Sequence, residues 1–178
     1  MPVHRSTKDR SCDNCPLVPA ISPIMNKSAL LQSIIERLFI DLDVAQRAAQ
    51  TAYETATHEE NVAENKYDTL GLEASYLATG QARRMEEIRQ GLAKFRALQL
   101  RDFQAGIELG ALVALDSEQG VRQWFFLGPD AAGLKLEFEG CPIMVITPLS
   151  PLGQSLLGKN IDDEVCMAGK PQIIALVI

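Results

Sequence analysis

Helix breakers are almost missing from the first half of this chain. None of its nine prolines lies between Pro23 and Pro129, and its first glycine is Gly71. Such a stretch excludes a turn-rich β fold there and favours long helices. Aromatic residues make up only 6% of the 178 residues. No apolar run approaches the ~18 residues that a membrane span requires. Basic residues are also short: 17 Lys+Arg against 23 Asp+Glu leave a net charge of −6, which argues against a protein that coats nucleic acid, since phosphate neutralisation needs a basic surface. The only histidines are His4 and His58. Ser155, in the string Gly153-Gln154-Ser155, therefore has no Ser-His-Asp arrangement around it.

Four cysteines, Cys12, Cys15, Cys141 and Cys166, are too few and too unevenly spaced for a secreted disulfide framework. No apolar run near the N-terminus suits a signal peptide. A cytoplasmic protein with reduced thiols is expected. Cys12 and Cys15 have the C-x-x-C spacing of half a zinc site, but His4 is the only other ligand nearby and four are needed. Residues 1–24, with Pro16, Pro19 and Pro23, read as a disordered leader, and Met25 as an alternative start. Cys141 and Cys166 read as buried apolar residues.

Charge and punctuation divide the chain into three. Residues 1–24 carry three bases and two acids (+1), residues 25–105 ten and twelve (−2), and residues 106–178 four and nine (−5). Nine of the twelve glycines and five of the nine prolines fall in the last part. A helical part followed by a β-rich part is the expectation.

In the helical part, Leu31, Ile35, Leu38, Leu42, Ala45, Ala49, Ala52 and Ala56 alternate spacings of 4 and 3, a heptad seam. Large knobs give way to alanines, so the arm should taper. A second seam reads Tyr67, Leu70, Ala74, Leu77, Met85, Ile88, Leu92 and Phe95, interrupted by Gln81 and Arg84. Asn61-Val62-Ala63-Glu64 is a capping-box variant that starts a helix. It places a turn near 58–65 and predicts an antiparallel coiled-coil hairpin over 25–105, about 45 Å long. The alternative is one straight helix that pairs with a second chain. Glu54, Glu59, Glu60, Glu64 and Asp68 crowd the turn. Such a cluster reads as a solvated helix turn or as a cation site, because Mg²⁺ binds through one or two carboxylates. Arg83 and Arg84 read as a solvated face or as contacts to RNA or a protein.

In the last part, 110–116 and 121–127 read as strands joined by the turn Ser117–Gly120. Residues 133–139 alternate as a half-buried strand, and 142–147 and 172–178 are short apolar strands. Ser150-Pro151 opens a short helix that runs through Leu157 and closes at Gly158. Trp124, Phe125 and Phe126 read as core and edge residues of their strand, with Phe126 alternatively lining an open face of the sheet. The fold class is α+β.

One stretch resembles a known family. Ile146-Thr-Pro-Leu-Ser-Pro-Leu-Gly-Gln-Ser-Leu-Leu-Gly-Lys159, with Asp162-Asp163-Glu164-Val165, is similar to the C-terminal signature of the bacterial Gre (GreA/GreB) transcription elongation factors. Glu64-Asn65-Lys66-Tyr67 resembles the stretch just after that family's hairpin tip. The resemblance implies an N-terminal antiparallel coiled coil and an FKBP-like C-terminal α+β domain over 106–178. It implies a monomeric accessory factor, not an enzyme, that binds RNA polymerase at its secondary channel. It also implies that tip acids help hold a Mg²⁺ of the polymerase active centre, where the nascent RNA 3′ end of a backtracked complex is cleaved. On this chain Glu60 and Glu64 take that role, and Asn61 stands where the family has Asp. Ser150, Pro151, Gly153, Leu156, Gly158 and Lys159 of the signature are the implied polymerase-docking residues. Alternatives are a channel-binding modulator or inhibitor without cleavage activity, and an FKBP-like isomerase or chaperone.

Overall fold

The computed structural model of the chain describes residues 25–57 and 70–178. The readings made for 1–24, including Cys12, Cys15 and His4, and for the turn at 58–65, lie outside them. Helix α1 spans Lys27–Thr57 and α2 spans Leu70–Ala97. Asn26 caps α1: its Oδ1 accepts from the backbone N–H groups of Ser28 (3.0 Å) and Ala29 (3.2 Å), satisfying two otherwise unpaired helix donors. The start of α1 and the end of α2 share one hydrophobic cluster, with Leu30 and Ile34 beside Leu92 and Phe95, so the helices run antiparallel. The Arg96 guanidinium lies 4.8 Å from the Phe39 ring centroid across the pair, a cation–π contact.

The seam differs from the sequence reading at its base. Leu30 and Ile34 are fully buried there, while Leu31 and Ile35 are half-buried. Near its start α1 packs on α2 and on the sheet together, so two stripes are covered instead of one. Further out Leu38, Ala45 and Ala52 are the buried seam residues, one per heptad, with Leu42 and Ala49 half-buried between them. On α2, Met85, Ile88, Leu92 and Phe95 face inward as read, but Leu77 is 57% exposed and the half-buried positions are Ala78 and Gln81. The 3-4 spacing back from Phe95 passes through 81 and 78, which leaves 77 beside the seam. Arg84 is exposed.

Six strands follow: β1 (Leu112–Ser117), β2 (Arg122–Leu127), β3 (Lys135–Phe138), β4 (Cys141–Ile146), β5 (Glu164–Met167) and β6 (Lys170–Val177), with α3 (Pro151–Leu156) between β4 and β5. They form one mixed sheet in the order β3-β4-β2-β1-β6-β5. The pair β2–β4 is parallel and the other neighbours are antiparallel. Strand β5 is an addition to the sequence reading. At four residues, with a buried–exposed pattern carried by Val165 alone, it has no apolar alternation long enough to show in the sequence.

Alternation along the strands sorts the core into two layers. Ala114, Trp124, Phe126, Ile143 and Val145 face the base of the hairpin. Val113, Leu115, Phe125, Leu127, Ile146 and Ile174 face α3 with Leu156. Trp124, Phe125 and Phe126 are all core, and Phe126 is closed off on the hairpin side. Cys141 is buried as expected, whereas Cys166 is exposed. It stands on edge strand β5 between inward Val165 and half-buried Met167.

The β1–β2 turn is clamped by Arg122, which donates from Nε and Nη2 to the two Asp116 oxygens at 2.7 Å each. The Arg122 hydrogen bond holds the Asp116 carboxyl below its ordinary value, against partial burial and with help from the guanidinium charge. A carboxyl lowered in the folded state stabilises above its unfolded pKa and loses that contribution as pH falls through the folded one. Because the pair is about a third exposed, Asp116→Asn is expected to cost only about 0.5 kcal/mol at neutral pH. The deficit should close in strong acid. Denaturant titrations of both proteins at the two pH values check this.

Candidate functional site

The signature stretch folds into a tight capped loop. Ser150 is the N-cap of α3: its Oγ accepts from the Gly153 N–H (3.1 Å) and donates to the Thr147 carbonyl (2.7 Å). Pro151 takes the first helical position, where its missing N–H costs nothing. Gly153 is required by close approach, since a Cβ there would lie 2.0 Å from the Thr147 carbonyl oxygen. Leu156 is fully buried against the α3 face of the sheet. Gly158, at φ +75°, turns the chain out of the helix, and its N–H donates to the Ile107 carbonyl (2.9 Å). The Lys159 carbonyl accepts from the Ile107 N–H (2.8 Å).

Of the six docking residues implied by the resemblance, Ser150, Gly153, Leu156 and Gly158 thus hold the loop and the helix in place. Pro151 is exposed and Lys159 half-buried. What the stretch displays outward is chiefly Leu149, 86% exposed, with Pro151 and Leu157. The signature is a folding element that presents a surface.

Beside it lies a groove of about 700 Å³, the size of a small-ligand or peptide-side-chain site. Its floor is Phe125 and Met144, paired across β2 and β4, and Ile146. Leu152 of α3, Met167 of β5 and Lys135 of β3 also line it. Sequence reading missed this site because its residues come from five separate elements (β2, β3, β4, α3 and β5) and most are ordinary strand or helix residues. The one available signal was the pair of methionines, Met144 and Met167, half-buried on the same side of the sheet; flexible thioethers suit adaptable surfaces. Cys166 lies in the groove lining.

Glu60, Asn61 and Glu64 lie outside the described residues. Glu54, on the last turns of α1, is exposed and accepts from Gln50 Nε2 at 2.7 Å. Arg83 is exposed and pairs with Glu87 at 3.4 Å, the solvated helix face that such a run usually makes. Among the described residues no three His, Cys, Asp or Glu side chains stand together as a metal site. No described helix is long and apolar enough to cross a membrane.

No protein-family model matches the chain, and no curated protein does. Among solved structures, the GreA factor homolog 1 (Gfh1) protein of Thermus thermophilus is 21% identical, with a TM-score of 0.36 over 81% of this chain and 94% of that one. A second structure of the transcription factor Gfh1 is 20% identical, with a TM-score of 0.33 over 80% and 92%. The Gfh1 of Thermus aquaticus is 23% identical, with a TM-score of 0.32 over 80% of this chain and 92% of that chain.

Proposed function

We propose that the chain is a Gre-like accessory factor that binds RNA polymerase at its secondary channel and assists cleavage of backtracked RNA. The observation that carries this reading is the capped Ile146–Val165 loop, which sets an apolar groove on one face of the sheet while a slim helical arm is rooted on the other. Helix α1 alone has 31 residues, about 46 Å at 1.5 Å per residue. Alanines at 45 and 52 bring the two helices close, which suits an arm that enters a channel. The groove and Leu149 form the docking face at the channel rim, and the arm reaches inward.

At its far end Glu60 and Glu64 would share a Mg²⁺ with the polymerase, since carboxylate oxygens suit that hard cation. A second such ion stabilises attacking and leaving oxygens in a phosphoryl displacement. The chain itself lends carboxylates and a fixed position. Asn61, neutral where the family has Asp, favours a second reading, a factor that occupies the channel without promoting cleavage.

Purified protein added to a stalled, backtracked elongation complex decides between them. Shortening of the RNA 3′ end supports assisted cleavage. No shortening, together with blocked cleavage by a genuine Gre factor, supports occupation alone. Docking is checked by Leu149→Asp, expected to weaken polymerase binding about 10-fold, or about 1.4 kcal/mol, with the melting temperature unchanged.

A further inference from the structure

The arm meets the sheet at a joint whose geometry is unusually restrictive. Gly128 follows β2, and its N–H donates to the Ile146 carbonyl of β4 at 2.8 Å. A Cβ on Gly128 would stand 2.9 Å from Phe95 Cζ, 3.0 Å from Phe95 Cε1 and 3.0 Å from Val145 Cγ1. The Phe95 ring, on the last turn of α2 and fully buried, therefore rests directly on sheet backbone. A fully buried ring packed against backbone has little free space to move into, and close-packed contacts of this kind transmit displacement. From the preceding position on α2, Lys94 Nζ reaches Asp130 Oδ2 at 2.6 Å, and Asp130 Oδ1 accepts from the Ala131 N–H at 2.7 Å. Ring and ion pair are consecutive on α2 and engage residues two apart after β2, so together they restrain both tilt and rotation of the helix.

We propose that the Phe95–Gly128 seat, latched by Lys94–Asp130, is a positioning device that fixes the bearing of the hairpin on the sheet, so that arm and groove face a partner as one rigid body. The device stands whether or not the partner is a polymerase. Its purpose follows from leverage: over an arm of about 45 Å a tilt of about 5° moves the far end by about 4 Å, and misplacement of about 1 Å can spoil a site's chemistry.

The test is a distance measurement on the full chain with Cys12, Cys15 and Cys166 changed to Ser and spin labels at Gln50→Cys on α1 and Gln154→Cys on α3. One narrow distance distribution is expected. Gly128→Ala should wedge the ring off its seat and move the mean by several ångströms, and Phe95→Leu, which removes the ring from the seat, should broaden the distribution. A loss of stability alone would not move the mean of the folded protein. Lys94→Glu, an exposed change that sets like charges against Asp130, should broaden the distribution, and Lys94→Glu with Asp130→Lys should narrow it again. A broad distribution in the parent overturns the proposal. So does an unmoved mean in folded Gly128→Ala. If Gly128→Ala does not fold, the charge pair decides, and an unbroadened Lys94→Glu overturns it.

Discussion

Replacing Glu60 and Glu64 together by Gln is expected to abolish factor-dependent RNA cleavage, a loss of about 10²-fold or more, while polymerase binding stays near normal. Gln keeps the size and hydrogen-bonding capacity of Glu but removes the charge that a hard cation requires. Losing about 3 kcal/mol of transition-state stabilisation corresponds to about two decades in rate at 1.36 kcal/mol per decade. The converse change is equally informative. Asn61→Asp restores a carboxylate where the Gre pattern has one and should raise cleavage above the parent. Gel analysis of 3′-end shortening in backtracked complexes reads both, and a binding titration runs beside it. If the double Gln variant loses binding as well as cleavage, the acids dock or cap the helix, and the metal role fails. If Asn61→Asp changes nothing while the double variant loses only cleavage, two carboxylates already suffice.

The second large effect concerns stability. Gly153→Ala would place a methyl group 2.0 Å from the Thr147 carbonyl oxygen. That atom is backbone, held where it accepts the Ser150 hydroxyl and N–H, so the loop must open to admit it. Overpacking and loss of a cap are both among the mechanisms that cost most. A destabilisation of about 3 kcal/mol or more is expected, which for a chain of this size lowers the melting temperature by about 6–12 °C. Gly80→Ala should go the other way by about 0.5–1 kcal/mol, because nothing lies within 4 Å of its new methyl on α2. Thermal melts of the two variants should move in opposite directions. A Gly153→Ala protein as stable as its parent would show that the loop relaxes, and its signature would then need another explanation than packing.

The sequence alone determined the local elements. A stretch without proline and with few glycines favours long helices, and its 3-4 apolar spacing names the faces that meet. Leu38, Ala45, Ala52, Ile88, Leu92 and Phe95 lie inside as their periodicity requires. Ser150-Pro151 starts α3 and Gly158 ends it, because capping and backbone freedom are properties of single residues and their immediate neighbours. The tertiary structure decided everything that depends on two elements meeting. Leu30 and Ile34 displace Leu31 and Ile35 as the deepest residues only because the sheet covers a second side of α1. Strand β5 exists because β6 offers it an edge, and Cys166 is exposed because that edge is the last in the sheet. The groove is a space between five elements, and a space has no residue of its own. Periodicity reports what each segment must bury, but which neighbour buries it, and what is left open beside it, is fixed by long-range packing alone.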